Sequence, residues 1–164
     1  LQKLWCEFNN LSSLPEHLNL PSLQKLWCSN NNLSSLPEHL NLPLLQEFYC
    51  NHNNLSSLPA NMNLPNLEKF DCSNNKINFI SSYCELKNVK ELNLSNNELY
   101  NIDKILLENI EKINISNNPI SRLLYYENLL NLKEINIKGT NITELQQSIQ
   151  DSIERKEVIL IYDK

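Results

Sequence analysis

Glycine is almost missing from this 164-residue chain: it occurs once, at Gly139, and valine occurs twice. A single glycine cannot build a glycine-rich phosphate loop, which excludes dinucleotide fingerprints and Walker-type loops. Positive charge is also short, with 14 Lys and Arg against 19 Asp and Glu and a formal net charge of −5. A basic surface for nucleic acid or anionic lipid is therefore not expected. No apolar run approaches the roughly 20 residues that a membrane span needs. The chain opens LQKLWCEFNN, without Met and without a secretory pattern. Cysteine occurs five times, but the odd count and the lack of any CxxC or CxxxC spacing fit neither a disulfide framework nor a zinc site. Thiols used as small apolar side chains suit a reducing compartment, so a cytoplasmic location is expected.

What the chain has is leucine, asparagine and isoleucine, with 31, 29 and 15 residues. Enrichment in Asn, Ile and Lys fits an AT-rich coding sequence. The segment LQKLWC at 1–6 recurs at 23–28, and alignment from there gives units beginning at Leu1, Leu23, Leu45, Leu67, Val89, Ile110 and Leu132. Each reads L-x-x-L-x-[CLI]-x-x-N-x-[LI]-x-x-[LI], with other apolar residues standing in at the leucine positions. The asparagine falls at Asn9, Asn31, Asn53, Asn75, Asn97 and Asn118, and the seventh unit has Thr140 there. Positions 4 and 6 alternate with polar positions 3, 5 and 7, the period of a strand. Each unit therefore contributes a short strand around positions 3–6, stacked in parallel on the next. An Asn amide donates twice and accepts, so a column of Asn at position 9 can satisfy the backbone groups that the turn leaves bare. Thr140 has no amide, and the ladder should weaken there.

This pattern resembles the leucine-rich repeat family over residues 1 to about 145. The resemblance implies an α/β solenoid, a right-handed superhelix with a concave parallel β-sheet, and protein–protein recognition without a reaction or cofactor of its own. The later units, such as VKELNLSNNELYNI, look like the 22-residue repeats of phosphatase-regulating proteins. The early LPEHL units look like bacterial effector or large-virus repeat proteins, which would place the chain in a host cytoplasm. Two alternatives stay open: a substrate-recognition segment of a larger enzyme, such as a repeat-containing ubiquitin ligase effector, and a purely structural component of an assembly.

Seven repeats fill residues 1–142, and residues 143–164 form a C-terminal capping helix and strand. Leu145, Ile149 and Ile153 make one helical stripe, Thr143 is the expected N-cap with Gln146 at the capping-box position, and Val158–Tyr162 reads as a final strand. Prolines 15, 37 and 59 and prolines 21, 43 and 65 exclude long helix from the early return arms. Segments 102–110 and 123–132 lack them and are expected to hold a helical turn or two. The first strand would expose an apolar edge, so further repeats or another domain are expected before Leu1.

Chemistry-bearing residues are few. Cys6, Cys28, Cys50 and Cys72 recur at position 6, but Leu94, Ile115 and Ile137 fill the same slot later, which favours packing over metal binding. His17 and His39 are copies on the return arm, since units 1 and 2 agree at 19 of 22 positions. No nucleophile–base arrangement and no calcium loop can be assigned. No catalytic residue, metal ligand or cofactor is expected.

The outward strand positions carry the information on binding. Position 3 reads Lys3, Lys25, Glu47, Lys69, Glu91, Lys112, Glu134, alternating in sign from Lys25 onward and suited to cross-strand pairing. Position 5 reads Trp5, Trp27, Tyr49, Asp71, Asn93, Asn114, Asn136, an aromatic row followed by polar residues. Residues 1–82 hold only 10 of the 33 charged residues. Aromatics clustered in a charge-poor region suit a protein-binding surface, although stacked aromatics can also simply stabilise strands. The expected contact core is Trp5, Phe8, Trp27, Tyr49 and His52, with Lys25, Glu47, Lys69, Asp71 and Asn93 around it.

Overall fold

The computed structural model describes residues 1–163 except 82, 83, 85, 103, 104 and 124–128. Seven three-residue strands recur once per repeat: β1 (Lys3–Trp5), β2 (Lys25–Trp27), β3 (Glu47–Tyr49), β4 (Lys69–Asp71), β5 (Glu91–Asn93), β6 (Lys112–Asn114) and β7 (Glu134–Asn136). A helix, α1 (Gln147–Glu154), and a last strand, β8 (Ile159–Ile161), follow. All eight strands form one parallel sheet in chain order. The register is the repeat itself: Lys3 faces Lys25, Leu4 faces Leu26 and Trp5 faces Trp27, and so on to Glu134, which faces Ile159. The strands occupy positions 3–5, within the span that the alternation predicts.

The middle residue of each strand points into the core. Leu26, Phe48 and Phe70 are buried, and Phe48 stacks on Phe70 with ring centroids 5.2 Å apart. Positions 1, 6, 11 and 14 complete the core, for example through Leu45, Cys50, Leu55 and Leu58. The thiols of Cys28, Cys50 and Cys72 are buried and free. Burial pushes the Cys50 and Cys72 thiols well above their ordinary value, with neighbouring thiols and Asp71 adding to it.

Position 9 carries a network of side-chain hydrogen bonds to the backbone. The Asn53 amide donates to the carbonyls of Cys50 (3.0 Å) and Asn51 (3.3 Å) in its own coil and to Cys28 (3.1 Å) in the preceding one, while its oxygen accepts from Leu33 N–H at 2.9 Å. Asn31, Asn97 and Asn118 repeat this set. Thr140 instead closes on its own coil, donating to the Ile137 carbonyl at 2.7 Å.

The early return arms hold no helix, and a tight turn precedes β2, β3 and β4. Leu23 N–H donates to Leu20 at 3.0 Å, Leu45 to Leu42 at 3.0 Å and Leu67 to Leu64 at 3.1 Å. Pro21, Pro43 and Pro65 sit at the second position of these turns, where a fixed φ is an advantage. Residues 105–110 are not helical, and the turn that closes there involves residues 108 and 109. Residues 103, 104 and 124–128 of the two expected helical segments lie outside the described residues.

The capping helix starts three residues later than expected. Its N-cap is Gln146, without a side-chain cap bond, and Thr143 caps nothing. The reason lies in Ile142 and Leu145, which occupy repeat positions 11 and 14 and pack against the core. The chain must follow the coil path through them, and Asn141 N–H is still tied to the Ile120 carbonyl at 2.8 Å. Only beyond Leu145 is the backbone free to wind, with Ile149 buried beneath it.

Candidate functional site

The outward face of the sheet begins with three aromatic rings in register. Trp5 and Trp27 stack with centroids 5.6 Å apart and planes at 25°, and Trp27 meets Tyr49 at 5.6 Å and 84°. Trp5 is 64% exposed, while Trp27 and Tyr49 are half-buried against their neighbours. The Trp27 Nε1–H is shielded from solvent and meets no acceptor. Beyond Tyr49 the row turns polar, and a shallow cavity of about 240 Å3 runs from Tyr49 across Asp71, Asn93 and Asn114 to Glu134.

The polar half of the row has a structural task that the aromatic half lacks. Asp71 accepts from the N–H of Ser73 at 2.9 Å, two residues on. Asn93, Asn114 and Asn136 do the same for Ser95, Ser116 and Lys138, each at 3.1 Å. These are Asx turns at the end of each strand. Trp5, Trp27 and Tyr49 carry no such acceptor, so their place in the row is not explained by turn formation.

Charges beside the row are paired across strands. Lys25 meets Glu47 at 2.7 Å and Lys69 meets Glu91 at 3.1 Å. A second column at position 2, which the reading of position 3 overlooked, pairs Glu68 with Lys90 at 2.9 Å and Glu111 with Lys133 at 2.6 Å. The two columns run out of phase, giving a chequered surface with little net charge. Pairs this exposed are screened by solvent and contribute little to stability. The Tyr49 hydroxyl is pushed above its ordinary value, first by burial and then by the Glu47 carboxylate, with Glu91 and Asp71 adding and Lys69 opposing.

Phe8 and His52 join no ring contact among the described residues. They occupy position 8, the corner where the chain leaves the strand, with φ of 55° and 53°. Asn30, Asn74, Asn96 and Asn117 hold the same left-handed conformation, and Gly139 holds it in the seventh repeat. The signal was present in the sequence, as Asn or Gly at position 8 in five units of seven. Phe8 therefore departs from the backbone's preference and is also 79% exposed.

Among the described residues, no group of three or more His, Cys, Asp or Glu is placed to hold a metal ion. Among the described residues, no helix is long and apolar enough to cross a membrane.

The sequence profile for leucine-rich repeats in two copies matches residues 1–44 and again residues 43–85. No curated protein matches the chain in sequence. Among solved structures, YopM from Yersinia enterocolitica superposes with a TM-score of 0.69 at 28% identity, over 85% of this chain and 34% of that one. InlP from Listeria monocytogenes gives 0.70 at 25% identity, over 83% and 40%. The chain thus spans about a third and two fifths of those two proteins. A Shigella effector repeat domain gives 0.70 at 22% identity over 99% of this chain and 81% of that one, a likeness of fold alone.

Proposed function

The chain belongs to the leucine-rich repeat family, and from that premise we propose that it is a protein-binding module whose outward sheet face takes a partner protein through the row Trp5, Trp27 and Tyr49. The carrying observation is the row itself: three rings in successive contact on an open face, two stacked and the third edge-on, at positions where the later repeats place turn-forming Asp and Asn. Large aromatic side chains on a sheet face, flanked by mutually paired charges, are what interface anchors need. Lys25, Glu47, Lys69 and Asn93 form the polar surround, and Phe8 and His52 project at the rim. The free buried thiols fit a reducing compartment, such as a host cytoplasm.

The test is affinity capture by the intact protein beside a variant with Trp5, Trp27 and Tyr49 replaced by Ser. A partner retained by the first and lost by the second supports this face. A partner retained equally by both, with the variant still folded by circular dichroism, places binding elsewhere. A specific partner held by neither protein would favour the reading as a structural component.

A further inference from the structure

The row changes character between Tyr49 and Asp71, which face each other across β3 and β4. Asp71 is the one carboxylate in a column whose other polar members are asparagines. Its oxygens accept one neutral donor each, Ser73 N–H at 2.9 Å and Asn93 Nδ2 at 3.1 Å. Asn93, Asn114 and Asn136 make the same Asx turn with an uncharged amide, so the turn does not require the charge of Asp71. Lys69 and Lys112 line the same cavity, but Lys69 is held by Glu91 and Lys112 makes no ion pair with Asp71 among the described residues. No ion pair reaches Asp71 among the described residues. A half-buried carboxylate with one neutral donor on each oxygen and no counter-charge still has the capacity to accept a cationic donor.

We propose that this step seats an arginine side chain of the partner, stacked against the Tyr49 end of the aromatic row with its guanidinium on the Asp71 carboxylate. The proposal rests on the reading of this face as the partner-binding surface. Each Asp71 oxygen keeps a free lone pair, and two parallel N–H groups of a guanidinium match such a pair. A planar guanidinium also stacks on aromatic faces, which a compact ammonium does less well. The cavity begins at this step, so the head group enters without displacing Tyr49.

The experiment uses random twelve-residue peptides displayed on phage and selected on the immobilised protein. Peptides that lose binding to Trp27→Ala are kept, which restricts the set to the row. The kept peptides should carry an arginine whose change to citrulline, its neutral isostere, weakens binding about tenfold or more. Asp71→Asn, which retains the Asx turn, should weaken the arginine peptide to a similar extent and leave the citrulline peptide unaffected. Row-dependent peptides that lack arginine, or that bind Asp71→Asn as well as the native protein, overturn the arginine seat and leave the aromatic surface standing. If no selected peptide depends on Trp27, both the seat and the surface reading fail.

Discussion

Asn97 reaches back 25 residues to hold Cys72: its amide donates to the Cys72 carbonyl at 3.1 Å and to the Leu94 carbonyl of its own coil at 3.0 Å. Its oxygen accepts from Ile77 N–H at 2.9 Å. One side chain thus closes its own turn and ties two coils together, at 8% exposure. Asn97→Ala removes these bonds at once and leaves buried backbone groups unpaired, an expected loss of about 1–3 kcal/mol. Thr140→Ala should cost less, because Thr140 closes only its own coil among the described residues. Urea titrations of the two variants check the order, and a larger loss at Thr140 would contradict the ladder.

The left-handed corner at position 8 gives a prediction of opposite sign. Phe8→Asn should stabilise the protein by about 0.5–1 kcal/mol, since phenylalanine pays for a positive φ that asparagine tolerates and little packing is lost at 79% exposure. His52→Asn should be closer to neutral, histidine being a better left-handed residue than phenylalanine. Gly139→Ala should destabilise by about 1–3 kcal/mol, because its φ is 66° and the added methyl would run into the Asn117 side-chain oxygen. Thermal melts of the three variants decide the matter. A Phe8→Asn protein that is less stable than the native one would show that Phe8 packs in a way its exposure conceals.

These positions also mark what could be read from the sequence and what could not. The strand positions, the register and the ladder follow from a fixed period, because an apolar side chain can be buried in every coil only if the chain returns to the same place. The chain's asparagines have structural uses beyond position 9, which base composition does not explain. Asn66, Asn88 and Asn109 form a second ladder before the strands, donating to the Pro43, Pro65 and Lys87 carbonyls of the preceding coil at 2.7, 2.8 and 3.1 Å. Asn93 and Asn114 close Asx turns, and Asn117 donates to Asn96 at 3.0 Å. Such bonds depend on which backbone groups the stack leaves bare, and that is set by geometry more than by pattern. The helix start was missed for a related reason: the capping-box spacing at Thr143 is local, while the coil path through Leu145 is imposed by the neighbouring repeat. Of the candidate site, the row, its register and the separate column at position 8 were legible, while the second charge column depends on contacts between coils and the Asx turns of the polar half on local backbone geometry.

The thiol column predicts a loss of stability in alkali. Burial raises the thiols of Cys28, Cys50 and Cys72, and it pushes Cys84 up to about 12. In the unfolded chain they ionise near the ordinary value, about 8.5. Above that pH the unfolded state binds fewer protons than the folded one, so stability is complete below it and falls as pH rises. Each such thiol contributes a slope of about 1.4 kcal/mol per pH unit in this range. Cys50→Val, at a slot that Leu94 and Ile115 fill elsewhere, should remove one thiol's share of the slope. Urea midpoints between pH 7 and 10, with reductant present, measure this, and a Cys50→Val profile parallel to the native one would refute the assignment.

The aromatic row must be separated from the core that lies beneath it. Leu26 is fully buried, and Leu26→Ala should cost about 2–5 kcal/mol. Trp27 is its outward neighbour, and Trp27→Ala should cost only about 1 kcal/mol through lost cross-strand stacking on Trp5 and Tyr49. Trp27→Phe sharpens the contrast. It keeps a ring in the row and removes the Nε1–H that is buried without an acceptor, so stability should stay level or rise slightly. Partner affinity should fall by about 2 kcal/mol or more in Trp27→Ala if the ring is an anchor. If Trp27→Phe also loses affinity while gaining stability, the indole N–H finds its acceptor on the partner. Equal destabilisation by Trp27→Ala and Leu26→Ala would instead make the row part of the scaffold. A Trp27→Ala protein that folds and binds like the native one would shift the search for the contact surface to the polar strands from Asp71 onward.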